Sequence, residues 1–228
     1  MILNIETATQ ICSVSLSKGN ETIALRETDT KNSHAVQLSV FIEELFKSTG
    51  ISRHEIKAVA ISKGPGSYTG LRIGVSTAKG LAYGLNVPLI SVSTLQSMAY
   101  GVSSVQQYAN NSLFAPMIDA RRMEVYSAFY NANNQLIKEI SADIIEADSY
   151  SEFLQNKPVY FFGDGAAKCK QTILHPNAHF IDAFNPSAAF MAAIAHEKFE
   201  KGEFENLAYF EPFYLKDFIA IKAKPIQF

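Results

Sequence analysis

The order in which the hydrophobic period changes along the chain is what most restricts its fold. Residues 2–5 form a short apolar run, and over 11–17 Cys12, Val14 and Leu16 alternate with Ser13, Ser15 and Ser17. A period of two is that of a half-buried strand. A turn at Lys18-Gly19-Asn20-Glu21 leads into a third strand over 22–28, carried by Ile23 and Leu25. The period then lengthens. Leu38, Phe41, Ile42, Leu45 and Phe46 fall at helical spacing, with Asn32 or Ser33 as cap and Gly50 at the end. A strand over 58–62, a glycine-rich turn, a helix over 70–84, a strand over 89–92 and a helix from Ser93 complete the first half.

After a polar stretch over 106–112 the same order returns. Strands read over 113–118, 123–130 and 135–145, then a helix near 149–155 and a strand over 159–162. A Gly-Asp-Gly turn opens a helix at Ala166, a short strand follows over 179–181, and Pro186 stands in the first turn of a long helix reaching Lys201. The halves share element order, βββαβαβα, without visible sequence similarity. Three antiparallel strands followed by alternating helices, done twice, predicts an α/β chain of two lobes, 1–105 and 106–228, with the last segment packing back on the first lobe. This is the ASKHA arrangement of actin, sugar kinases and Hsp70-like ATPases, in which a nucleotide can occupy the crevice between the lobes. The fold by itself assigns no function.

The chain has 228 residues, 47% of them hydrophobic and 18% charged, which is enough apolar material for packed cores and excludes disorder. Lys plus Arg number 20 against 22 Asp plus Glu, and no basic run occurs, so any contact with nucleic acid is expected to be indirect. Cys12 and Cys169 make neither a disulfide framework nor a zinc cluster. The opening residues have no basic segment leading into a long apolar one, and no stretch approaches the ~20 apolar residues that span a bilayer. A cytoplasmic chain without membrane contact is expected.

The strongest local signal is Lys63-Gly64-Pro65-Gly66-Ser67-Tyr68-Thr69-Gly70-Leu71-Arg72, after one strand and at the start of a helix. Gly64 and Gly66 permit a tight turn, and the N–H groups at a helix start, Ser67 among them, attract anions. The same residues also suit a purely structural turn capped by Ser67 or Thr69, and no Walker lysine follows. Glu6 and Thr7, between the first two strands, stand where kinases of this fold meet phosphate and metal, or else make a polar tight turn. Gly163, Asp164 and Gly165 stand where the fold often contacts adenosine, though Gly-Asp-Gly turns a chain anywhere.

Gly70, Gly74, Ala78 and Ala82 recur every fourth residue, with Gly80 and Gly84 besides. An interior glycine costs a helix ~1 kcal/mol relative to alanine. Something must therefore pack against this ridge, either the chain's own first helix or a partner's. On the first helix, Val36 and Val40 land opposite the apolar face, either as scattered surface valines or as half of a helix-pair interface. His175 and His179 have ligand spacing but flank a Pro-Asn loop, and no metal site is expected.

The blocks Ile5-Glu6-Thr7-Ala8-Thr9, Gly64-Pro65-Gly66-Ser67-Tyr68-Thr69-Gly70-Leu71-Arg72, Val92-Ser93-Thr94-Leu95 and Ile118-Asp119-Ala120-Arg121-x-x-Glu124-Val125-Tyr126 resemble the bacterial TsaB (YeaZ) family. The resemblance ends at Pro212-x-Tyr214-Leu215-Lys216-Asp217, with lysine where the family has arginine, and Glu6 replaces the commoner aspartate. It implies a subunit needed to make N6-threonylcarbamoyladenosine at position 37 of tRNAs that read ANN codons. The catalytic paralogue, TsaD, holds a metal through two histidines. Those positions correspond here to Thr94 and Met98, which are poor substitutes for imidazole.

The resemblance thus implies a chain with no catalytic residue of its own, no metal and no firmly bound cofactor, with ATP or ADP at a complex interface. It also speaks against the glycoprotease label the family sometimes carries. The implied partners are a TsaD-like catalytic subunit and a TsaE-like ATPase, with tRNA held indirectly. The implied interface is a helix bundle containing Val36, Val40, Gly70, Gly74, Thr77, Ala78 and Leu81. The same surface, being self-complementary, would serve a homodimer. A bulky residue at Gly74 or Ala78 is expected to leave the fold intact and block pairing. The rival readings are an ATP-dependent phosphotransferase using Glu6 and the 64–70 turn, and a metallopeptidase.

Overall fold

The computed structural model describes residues 1–28 and 34–216. The cap expected at Asn32 or Ser33 lies outside the described residues, as does Asp217. The first half folds as β1 (Ile2–Glu6), β2 (Cys12–Lys18), β3 (Glu21–Thr28), α1 (His34–Thr49), β4 (Ala58–Ser62), α2 (Tyr68–Leu85), β5 (Leu89–Val92) and α3 (Thr94–Ser103). The second half follows as β6 (Leu113–Asp119), β7 (Glu124–Asn131), β8 (Leu136–Ile144), α4 (Ser151–Leu154), β9 (Val159–Phe162), α5 (Ala166–Cys169), β10 (Ala178–Ile181) and α6 (Ala192–Lys201).

The strand order is β3-β2-β1-β4-β5 in one sheet and β8-β7-β6-β9-β10 in the other. In each, the first three strands pair antiparallel and the last two add in parallel. The same topology is thus built twice, which is the ASKHA fold. Hydrophobic burial explains why the pattern was readable. Leu38, Ile42, Leu45 and Phe46 of α1 are buried against the first sheet with Val75, Ala78 and Ala82 of α2. Helix ends follow local chemistry: Ser67 and Ser93 cap α2 and α3 by accepting from the Gly70 and Gln96 N–H groups.

The helices between the sheets exchange sides. Leu95, Met98, Ala99 and Val102 of α3 pack with Phe114, Ile118, Ala128 and Phe162 of the second sheet. Ile194 and Ala195 of α6 pack with Ala58, Ala60 and Ile90 of the first. The final helix differs from its sequence pattern. Pro186 lies outside it, and Ser187 caps a 3-10 turn (Ala188–Met191) by accepting from the Ala189 N–H before α6 begins at Ala192. The helices α4 and α5 are single turns of 4 residues each, shorter than the 149–155 pattern suggests. No helix among the described residues is long and apolar enough to cross a membrane.

Candidate functional site

Because β1 is the central strand of its sheet, the turn that follows it is enclosed rather than exposed. Glu6 is completely buried; its Oε1 accepts from the Ala8 N–H at 2.6 Å and the Ser62 hydroxyl at 2.9 Å, while Oε2 has no partner. Burial pushes its pKa from 4.5 up to about 7, against the lowering effect of those hydrogen bonds. The Thr7 hydroxyl donates to the Gly70 carbonyl at 2.9 Å, and the Ser67 N–H donates to the Ala8 carbonyl at 2.6 Å.

The glycines of the 64–70 loop exist for this close approach. A Cβ on Gly66 would lie 2.2 Å from the Ala8 carbonyl oxygen, and one on Gly70 2.1 Å from that of Thr7. Gly64, at a φ of +106°, faces the Phe213 carbonyl oxygen, which a Cβ would meet at 2.8 Å. The Ser67, Gly70 and Leu71 N–H groups are all satisfied inside the chain. Of the residues read as an anion cradle, Thr7, Gly64 and Ser67 thus have their N–H or hydroxyl groups in use within the chain, while Glu6 keeps one carboxylate oxygen without a partner among the described residues.

The second lobe repeats the arrangement. Gly163 is pressed on Met117 and Met98, and Gly165 on Ile118 and Asp119. Asp164 stays at the surface and accepts from the Asp119 N–H at 3.0 Å. The Gly163-Asp164-Gly165 turn thus clamps the end of β6 as the 64–70 loop clamps β1–β2, with the Asp164 side chain left at the surface. Thr94 and Met98 are also used internally: the Thr94 hydroxyl accepts from the Gly64 N–H at 3.1 Å, and Met98 is buried in the core. Among the described residues no three His, Cys, Asp or Glu side chains come together as a ligand set.

A consequence of the enclosed Glu6 is a specific pH dependence. The folded chain holds this proton more tightly than the unfolded chain. Its contribution is therefore complete below about pH 4.5 and lost as pH rises to about 7, by about 3 kcal/mol. Between pH 5 and 8 the Tm of the native chain is expected to fall by roughly 6–10 °C more than that of Glu6→Gln. Parallel curves in differential scanning calorimetry would refute the assignment.

The proposed interface residues divide into two groups. Gly70, Gly74 and Ala78 are buried by the chain's own sheet: a Cβ on Gly74 would lie 2.1 Å from the Thr7 hydroxyl oxygen and 3.1 Å from Ile61. Within the chain they offer no surface to a partner: the two glycines pack on the β1–β2 turn, and Ala78 lies in the core shared with α1. Val36 and Val40 on α1 are 67% and 41% exposed, and Thr77 and Leu81 on α2 are half-buried. The outward face of α2 also carries exposed Tyr83 together with Gly80 and Gly84, around which a Cβ would meet nothing within 4 Å. The spacing had singled out the buried glycines; lack of any packing marks these two instead.

The comparisons place the chain. TsaB of Escherichia coli, a "tRNA threonylcarbamoyladenosine biosynthesis protein", is 32% identical over 230 residues, 98% of each chain. The chain belongs to the TsaB family. TsaB of Bacillus subtilis is 33% identical over 176 residues, 75% of this chain and 74% of that one. A crystal structure from Pseudomonas aeruginosa, described as similar to the peptidase YEAZ, superposes with a TM-score of 0.83 at 25% identity, covering 94% of this chain and 99% of that one. The family described as "TsaD: tRNA N6-adenosine threonylcarbamoyltransferase" matches residues 27–224. The chain thus shares ancestry with a transferase while its full-length likeness is to TsaB.

Proposed function

We propose that this TsaB-family chain is an accessory subunit in threonylcarbamoylation of tRNA adenosine, acting through a TsaD-type catalytic partner and a TsaE-type ATPase. The observation that carries the proposal is the outward face of the α1–α2 pair, where Val36 and Val40 lie exposed and Gly80 and Gly84 lack any neighbour of their own. Glycines inside a helix are a cost unless something approaches closely, and among the described residues nothing does. A second helix pair laid on this face would bury the valines and use the glycines.

The non-catalytic role is supported by how the chain spends its polar groups. Glu6 is enclosed, Thr94 holds the Gly64 N–H, and Met98 fills the core. A phosphotransferase would require the Glu6 carboxylate at its ligand, where burial leaves no path to it. With a net charge of −2 the chain lacks the basic footprint of an independent tRNA binder, so the tRNA is held mainly by its partners. ATP or ADP would then bind where subunits meet.

The test is reconstituted tRNA threonylcarbamoylation with TsaC-like, TsaD-like and TsaE-like proteins of the same organism, with and without this chain. Modification is expected to fall at least ~10-fold in its absence, about 1.4 kcal/mol in effective barrier. Equal modification without it would overturn the proposal.

A further inference from the structure

The segment that follows α6 runs back over the first lobe and, at Lys216, touches the second. Glu205 forms a bridge to Leu89 at the edge of β5, and the Lys79 ammonium donates to the Ala208 and Phe210 carbonyls at 3.2 and 3.0 Å. Phe210 is buried in the first core. Beyond it, the Phe213 N–H donates to the Lys63 carbonyl at 2.7 Å, and the Phe213 carbonyl covers the open side of Gly64. The Tyr214 ring packs on Tyr68, the first residue of α2, with centroids 5.0 Å apart.

The next contact changes lobes. The Lys216 ammonium pairs with the Glu124 carboxylate at the start of β7 and lies 6.0 Å from the centre of the Tyr126 ring. These residues are 92 positions apart in the chain. Lys63 and Gly64 follow the carboxyl end of β4, which pairs in parallel with β1 and β5, and Glu124 opens β7 beside the carboxyl end of β6, which pairs in parallel with β9. In open α/β sheets this is the side on which crevices admit ligands. The tail therefore covers the first lobe's glycine loop and reaches the second lobe's hairpin.

We propose that residues 211–216 form a strap that caps the Gly64 loop and latches the two lobes, and that the lobes separate at this edge when the Lys216–Glu124 pair parts. The division of labour along the strap fits a latch. Its upstream end is held by a buried aromatic and two charge-assisted hydrogen bonds. Among the described residues its downstream end is held through Lys216, which pairs with Glu124 and lies over the Tyr126 ring, the paired side chains remaining 41% and 22% exposed. An exposed pair of this kind contributes little and is screened by salt, so it is the end that releases.

Amide hydrogen exchange on the full-length chain reads the latch at both ends, through the Phe213 N–H bonded to Lys63 and the Glu124 N–H bonded to Arg121. Lys216→Glu and, as a milder change, Glu124→Gln are expected to accelerate exchange at both amides about 3-fold, with amides of β1 and β6 unchanged. The charge-reversed pair Lys216→Glu with Glu124→Lys is expected to return both to within about 2-fold of the native rate. Unchanged exchange in the single variants overturns the proposal. So does a double variant as fast as the faster single, since each effect is then local to its own side chain. Acceleration at Phe213 alone overturns it too, because the tail would then be loosened without any tie to the second lobe.

Discussion

Gly70→Ala is expected to destabilise the folded chain by about 3 kcal/mol and lower its Tm by roughly 6–12 °C, although alanine is the better helix former. The added carbon would lie 2.1 Å from the Thr7 carbonyl oxygen. That oxygen belongs to the backbone of the β1–β2 turn, which is pinned by the Ala8 N–H on Glu6 and the Ser67 N–H on Ala8. Neither side can yield without breaking a buried hydrogen bond. Gly74→Ala meets the Thr7 hydroxyl instead, at 2.1 Å, and relieves the clash only by ending its bond to the Gly70 carbonyl. Gly80→Ala, with open space around it, is the internal control and is expected to stabilise by about 1 kcal/mol. Calorimetric melting of the three variants decides the matter. A Gly70→Ala protein within about 1 kcal/mol of the native chain would mean that the helix is not seated on the turn as described. The result also revises what a bulky residue at Gly74 does: it breaks the fold before it can report on a partner.

The contrast between these glycines shows what the sequence carries and what it does not. The sequence pattern places β4, β5 and β9 to the residue and the other strands to within one residue at each end, and the duplicated order matches the topology of both sheets. The turn capped by Ser187 escaped because a proline one residue earlier also fits a helix start. The ridge at Gly70, Gly74, Ala78 and Ala82 was visible, but a four-residue spacing says only that something approaches, and a sheet beneath and a helix outside give the same spacing. Glu6 reads as a polar turn residue because nothing local reveals that β1 will be flanked by β2 and β4. The strap depends on pairs such as Phe213 with Lys63 and Lys216 with Glu124. Contacts that distant in sequence leave no periodic trace; the segment is marked only by the expectation that it packs back on the first lobe and by the resemblance of the terminal Pro-x-Tyr-Leu-Lys block to its family.

Val40→Glu is expected to weaken the complex with a TsaD-type partner at least about 30-fold while leaving the isolated chain as stable as before. Val40 is 41% exposed and Val36 67%, and surface substitutions of this kind usually move stability by less than about 0.5 kcal/mol. A carboxylate forced into a dry helix–helix contact loses its water without gaining a partner, a penalty of roughly 2–5 kcal/mol when a charge is left unpaired in an interface. The lower end of that range is already about 30-fold in Kd. Gly80 supplies the second arm. Gly80→Ala stabilises the free helix, yet a methyl group on a face where another backbone must come close holds the two helices apart. Its binding should weaken as its Tm rises, a pair of opposite signs that damage to the fold cannot produce. Analytical ultracentrifugation with the partner, read beside calorimetry of each variant alone, separates the cases. If Val40→Glu and Gly80→Ala both bind as the native chain does, the α1–α2 face is not the interface. If both weaken binding while the first is neutral and the second stabilising for the monomer, the partner lies on the two helices whose outward glycines the described residues leave uncovered.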